Sequence, residues 1–239
     1  VRSLRVIDGA VMILCGVGGV EPQTEAVWNH ANREDLTRVI FVNKLDRTGA
    51  DFNRVLDEIH ERLTPNAMPI QLPIGSEDSF RGMVDLLSER ALLWEDGELV
   101  ATDAEIPAEM ADRVHDARET LIDSICELDD DLLMQRLEGE EPDLETLKAG
   151  LRNASLEGDI LPVLCGAARE HIGIQPLLDA VVDYLPSPVD LPPMEGHYPG
   201  NEGRIETRPD DPDAPFCASA FKIVVDPHVG HLTWVRVFS

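Results

Sequence analysis

Apolar positions along the chain fall into two textures. Continuous runs occur at Ala10-Val11-Met12-Ile13-Leu14-Cys15, at Val39-Ile40-Phe41-Val42 and at Ile160-Leu161-Pro162-Val163-Leu164-Cys165. They are short, unbroken and bounded by turn residues, which predicts strands buried on both faces. Between and after them the apolar residues recur at helical spacing. Glu21-Pro22-Gln23-Thr24 opens a helix with Pro22 near its first position and Val27, Trp28 and Ala31 on its apolar side. A second helix carries Phe52, Val55, Leu56, Ile59 and Leu63 on one face, and a third starts at Pro176 with Leu177, Leu178, Val181, Val182 and Leu185. Strand, helix, strand, helix in that order implies right-handed crossovers and a parallel sheet.

From residue 70 the texture changes. Residues 70–74 read as a short strand, and residues 91–94 and 99–101 as a hairpin around Glu95-Asp96-Gly97-Glu98, since Asp-Gly accepts positive φ. Pro107 begins a long helix with Met110, Val114, Ala117, Leu121, Ile125 and Leu128 on one stripe, followed by shorter helices over 130–137 and 143–154. Because the buried-strand pattern returns at Ile160, residues 70–159 are expected to be an inserted α+β subdomain within a unit formed by 1–69 and 160–185. Residues 186–215 carry Pro186, Pro188, Pro192, Pro193, Pro199, Pro209, Pro212 and Pro215, which predicts a stiff linker. Residues 216–225 and 231–238 then read as an antiparallel pair opening an all-β domain. The expected fold class is α/β: a partial parallel sheet with helices, an inserted α+β subdomain and the start of a β-barrel.

Charge narrows the functions open to the chain. Its 46 acidic against 20 basic residues give a net charge of −26. Such a field repels phosphate backbones, so a broad nucleic-acid face is not expected on this chain, although a local basic patch is compatible. The acidity fits a solvated surface or a basic partner. Acidic residues crowd the inserted helices, notably Glu127, Asp129, Asp130, Asp131, Glu138, Glu140 and Glu141, without the oxygen-ligand spacing of a calcium loop. Cys15, Cys126, Cys165 and Cys217 show no C-x-x-C spacing and read as reduced thiols of a cytosolic protein. No stretch reaches the ~18 apolar residues of a membrane helix, and no signal peptide opens the chain. It begins at Val1 without an initiator Met and ends at Ser239 in mid-pattern, so it is read as a fragment.

The candidate chemistry lies where the second strand ends, at Asn43-Lys44-Leu45-Asp46. Open α/β sheets bind ligands at the carboxyl ends of their strands. An Asp offers two acceptors and an Asn a donor and an acceptor, which suits the N1 and amino edge of guanine together with N7 or the carbonyl; adenine would meet the Asp with a mismatched edge. The Lys stem can lie along a ring face with its head solvated. The motif alone leaves two readings open, a base pocket and an Asn/Asp turn. Gly16-Val17-Gly18-Gly19 reads as a turn, since G-x-x-x-x-G-K-[ST] does not occur in the chain. Gly166-Ala167-Ala168 forms a second small-residue loop at a strand's carboxyl end, placed to complete a pocket begun at Asn43.

These stretches carry a family likeness. Arg2-Ser3-Leu4-Arg5-Val6, Gly18-Gly19-Val20-Glu21-Pro22-Gln23-Thr24, Asn43-Lys44-Leu45-Asp46-Arg47-Thr48-Gly49-Ala50, Gln71-Leu72-Pro73-Ile74-Gly75, Leu137-Glu138-Gly139-Glu140-Glu141-Pro142 and Asp183-Tyr184-Leu185-Pro186-Ser187-Pro188 resemble bacterial elongation factor G, as do Phe221-Lys222-Ile223 with Asp226-Pro227 and Val229-Gly230. The likeness runs in order along nearly the whole chain.

The resemblance implies a GTPase domain over 1–69 and 160–185, the insertion within it and an adjoining β-barrel domain. It implies that Asn43 and Asp46 select guanine, that Lys44 packs on the base, and that the backbone at Ala167 and Ala168 reaches the guanine carbonyl. Ala167 stands where the family commonly has Ser, and loss of a supporting hydrogen bond of about 1 kcal/mol predicts altered nucleotide affinity. GTP or GDP is the implied ligand, with magnesium in the full-length protein. The family's phosphate loop, switch regions and water-positioning His are expected to precede Val1, so residues 1–239 alone are expected not to hydrolyse GTP. The implied role is ribosome-dependent translocation of tRNA and mRNA, in the cytoplasm. The ribosome is the implied partner, its acidic stalk protein meeting the insertion, with rRNA contacts mainly from parts outside this chain. The alternatives are a guanine-nucleotide or ribosome-binding paralogue without turnover, and a recycling or ribosome-protection factor of the same family.

Overall fold

The structure, a computed structural model, describes residues 4, 6–95, 98–198 and 200–239. It divides into two compact units, one of Gly9–Asn29 with Thr37–Leu185, the other built mainly from Pro186–Ser239 with Asp8 and His30–Leu36.

In the first unit, β1 (Gly9–Cys15) leads through α1 (Pro22–Arg33) to β2 (Thr37–Asn43) and α2 (Phe52–Arg62). A short strand, β3 (Ala67–Pro69), follows before the chain turns to β4 (Gln71–Ile74), β5 (Gly82–Asp85), β6 (Arg90–Leu93) and β7 (Thr102–Ala104). Helices α3 (Ala111–Cys126), α4 (Asp130–Leu137) and α5 (Leu144–Glu157) precede β8 (Leu161–Cys165) and α6 (Ile174–Tyr184). The strands sort into a parallel sheet of order β1-β2-β8-β3 and an antiparallel sheet of order β4-β5-β6-β7.

The apolar pattern explains the centre of the parallel sheet. Val39, Ile40, Phe41 and Val42 are at most 1% exposed, as are Val163, Leu164 and Cys165 of β8. β1 departs from the expectation of two buried faces: Ile13 is 63% exposed, because among the described residues β1 stands at the sheet's edge with β2 as its one partner. Asp51 caps α2 by accepting from the Arg54 N–H, and Phe52, Val55 and Ile59 enter the core. Asp129 and Asp143 cap α4 and α5 in the same way.

Residues 70–159 do not form a body apart. Ile70 N–H donates to Val163 O at 3.0 Å, and the buried Gln71 Oε1 accepts from Cys165 N–H at 3.3 Å. α5 packs on α6, β2 and β8 as well as on α3. The long helix starts at Ala111, a single 3-10 turn over Ala108–Met110 separating it from Pro107. α6 starts at Ile174, so Pro176 lies inside its first turn, where a missing N–H costs no hydrogen bond. The expected strand over 99–101 is found at Thr102–Ala104 paired with β6, and the Asp96-Gly97 turn lies outside the described residues, as do residues 1–3 and 5 of the family likeness and Pro199.

In the second unit the proline-rich stretch is not the linker expected over 186–215. β9 (Met194–Tyr198) pairs antiparallel with β10 (Asn201–Arg208). The two strands fit between Pro193 and Pro209, where no proline removes a ladder donor within the paired residues Met194–Tyr198. The expected pair appears as β11 (Ala218–Asp226) and β12 (Gly230–Val237), turned at Asp226, whose Oδ1 accepts from the His228 and Val229 N–H groups. Arg236 of β12 grips Asp8 at 2.7 and 2.5 Å and lies 4.7 Å from the Phe238 ring. Among the described residues no helix is long and apolar enough to cross a membrane.

Candidate functional site

The carboxyl ends of β1, β2 and β8 meet through their backbones. Gly16 N–H donates to Asn43 O at 2.7 Å, Gly166 N–H to Val42 O at 3.0 Å and Leu45 N–H to Gly166 O at 3.2 Å. Such close approach requires glycine at two positions. A Cβ on Gly16 would stand 2.8 Å from the Leu45 side chain, and one on Gly166 would stand 2.5 Å from Ile172 O and 2.7 Å from the Phe41 ring.

Asn43 is the last residue of β2 and half-buried. Its Oδ1 accepts from Lys44 N–H at 2.7 Å and from Ala168 N–H at 2.9 Å. The first bond accompanies a left-handed backbone at Lys44, φ +65, which bends the chain out of the strand. Arg47 N–H then donates to Lys44 O, and Ala50 N–H to Arg47 O, closing consecutive turns that project Asp46. Among the described residues, none donates a hydrogen bond to the half-buried Asp46 carboxylate, which borders a cavity of about 1030 Å³. Residues 73–81, Glu95, Glu109, Arg113 and Glu170 are among those that wall the rest of that cavity, whereas Asn43, Lys44, Ala167 and Ala168 do not line it. A carboxylate left with both oxygens free is the group that can take two N–H donors from a ligand edge.

Ala168 thus joins Asn43 directly, whereas Ala167 does not. Ala167 is fully buried and its N–H donates to Ile172 O at 3.0 Å, so its donor is already satisfied. Of the two alanines, Ala168 is the one with a backbone donor at the meeting point. Lys44 is half-buried beside them.

The Gly16–Gly19 loop is a pinned turn. Gly19 N–H returns to Cys15 O at 2.8 Å, and Val20 N–H donates to Glu58 Oε2 at 2.8 Å. Arg54 of α2 donates to Gly16 O and Val17 O while pairing with Glu58 one helical turn on. Its amides are spent within the fold, as a turn reading of the glycines requires. Cys15 sits at its base: burial raises the thiol, but the Gly18 and Val17 N–H groups and the charges of Lys44 and Arg47 outweigh that and bring it below the ordinary thiol value.

Two supports had no signal in the sequence. Glu77 Oε1 accepts from Gly49 N–H at 2.6 Å, and Arg113 donates to Asn53 Oδ1 at 2.8 Å. The first reaches the turn that follows Asp46 and the second the first turn of α2, over 28 and 60 positions of sequence that no local pattern links.

Residues 1–187 match the family described as the elongation factor Tu GTP binding domain. The chain belongs to this family. Among solved structures, this GTP-binding domain chain is similar to the crystal structure of ttk003000868 from Thermus thermophilus, at 30% identity and a TM-score of 0.82. That likeness covers 99% of this chain and 32% of the other, so the chain spans about a third of the length of the solved protein. The match agrees with the α/β architecture, a parallel sheet flanked by helices and followed by antiparallel β hairpins.

Proposed function

We propose that the β2 and β8 loops form the base-selecting half of a guanine-nucleotide site, with Asp46 receiving the N1–H and amino group of guanine. The observation that carries this is a half-buried carboxylate with no donor among the described residues, at the edge of a cavity, in a chain of a GTP-binding family. Asn43 sets the loop that presents Ala168, and the guanine carbonyl would share or displace Asn43 at the Ala168 N–H. Lys44 would cover one face of the ring with its aliphatic stem. Adenine is disfavoured because its N1 and amino edge offers Asp46 one donor and one repelling lone pair.

The larger protein in which this domain works is proposed to be a ribosome-dependent translational GTPase of the cytoplasm, with translocation of tRNA and mRNA as the assigned role. The family supports this reading at the level of a GTP-binding translation factor domain. No group of three or more His, Cys, Asp or Glu side chains placed to hold a metal occurs among the described residues. The acid-rich insertion is proposed to face the ribosomal stalk; since that protein is itself acidic, the contact would use basic residues on its surface.

Competition binding tests the base-selecting half. The 239-residue chain carries no G-x-x-x-x-G-K-[ST] motif, so its affinity for GDP is expected to be weaker than micromolar, with GDP preferred over ADP. Equal titration of the Asp46 and Ala168 amide resonances by GDP and ADP would refute the reading.

A further inference from the structure

The turn that carries Asp46 does not stand alone. It ends at Gly49, whose φ of +83 exposes its N–H, and the donor is taken by Glu77 at 2.6 Å. Glu77 belongs to the loop between β4 and β5 and is itself held at φ +52, a region a non-glycine residue seldom occupies. That strain is kept by its neighbours. Gly75 at φ +82 packs so closely that a Cβ there would meet Ser79 O at 2.0 Å, and Ser76 and Ser79 close the loop on each other. The carboxylate is therefore delivered to Gly49 by a rigid, strained loop, and a charged acceptor makes the stronger kind of hydrogen bond to a backbone amide. The same loop walls the cavity that Asp46 borders.

We propose that Glu77 is a positioning residue for guanine selection: through Gly49 it fixes the turn that aims Asp46, so the residue 75–81 loop sets how sharply the site distinguishes the 2-amino group of the base. The inference rests on the base-pocket reading above. It does not require Glu77 to touch the nucleotide. It also makes this loop the route by which anything that seats on the inserted residues and moves the loop would alter nucleotide discrimination.

IDP lacks the 2-amino group, so the ratio of GDP to IDP affinity reports the placement of Asp46. With the 239-residue chain, Glu77→Ala is expected to speed exchange of the Gly49 amide and to lower the GDP:IDP ratio about fivefold. Glu77→Gln keeps an acceptor oxygen at the same reach and is expected to retain most of both. General loss of structure would weaken GDP and IDP alike and leave the ratio unchanged. An unchanged Gly49 exchange rate or an unchanged ratio in Glu77→Ala overturns the inference. A normal response to Glu77→Ala with no change of ratio in Asp46→Asn would instead remove Asp46 from the base site, which keeps the two failures apart.

Discussion

The Asn43 side chain accepts the Ala168 N–H at 2.9 Å, joining two loops that lie 125 positions apart in sequence. With the Lys44 N–H on the same oxygen at 2.7 Å, one amide carbonyl organises the carboxyl ends of β2 and β8. Asn43→Ala leaves two half-buried donors without a partner and is expected to cost about 1–3 kcal/mol in urea unfolding. Asn43→Asp retains an acceptor in the same place and is expected to recover most of that loss. Equal stabilities of Asn43→Ala and wild type would show that the loops are held by other bonds.

Gly166 tests how tightly the site is built into the core. Gly166→Ala would drive a methyl group against Ile172 O and the fully buried Phe41 ring, and neither can retreat without moving the β8–α6 connection or β2. Overpacking of this kind is expected to destabilise by about 1–3 kcal/mol, read as a lower urea midpoint at unchanged slope.

Residues 70–159 contain an electrostatic anchor. Arg118 of α3 is 7% exposed and pairs with Glu141 at 2.6 Å and Glu89 at 3.4 Å. The Arg118 hydrogen bond holds the Glu141 carboxyl below its ordinary value. A depressed carboxylate stabilises the fold above its unfolded value and loses that contribution as pH falls through the folded one. The stability gap between wild type and Glu141→Gln is therefore expected in full at neutral pH and to shrink below the ordinary Glu value of 4.5. A gap independent of pH would contradict the ion pair.

Thiol reactivity should separate the cysteines by environment. Cys165 is fully buried and burial pushes its thiol far up, whereas Cys15 is lowered by backbone N–H groups and by Lys44 and Arg47. Iodoacetamide at pH 8 is expected to alkylate Cys15 well before Cys165 in the folded chain, by peptide mass mapping. Because Cys15 pairs in register with Asn43 across β1 and β2, guanine nucleotide is expected to slow that labelling.

The parallel sheet was legible because its signal is local: an unbroken run such as Val39-Ile40-Phe41-Val42 can bury both faces only in the middle of a sheet. β1 shows where that inference stops, since an equally apolar run became an edge strand and left Ile13 exposed. β3 is three residues long and β5 reads Gly82-Met83-Val84-Asp85, too short for any periodicity, and both form because neighbouring strands supply partners. Dense proline around β9 and β10 hid a hairpin that occupies the gap between prolines. In the site, the residue types at Asn43 and Asp46 are enough to suggest a base edge, but the grip of Asn43 on Ala168 and of Glu77 on Gly49 depends on tertiary folding alone.

The assignment of Asp46 as the guanine-reading residue is the centre of this account, and one substitution addresses it. Asp46→Asn exchanges an acceptor for a donor, which suits the 2-carbonyl of xanthine and opposes the 2-amino group of guanine. Competition between GDP and XDP, measured on the 239-residue chain and its Asp46→Asn variant, is expected to reverse in favour of XDP by at least about tenfold. Unchanged GDP and XDP affinities in the variant would contradict it.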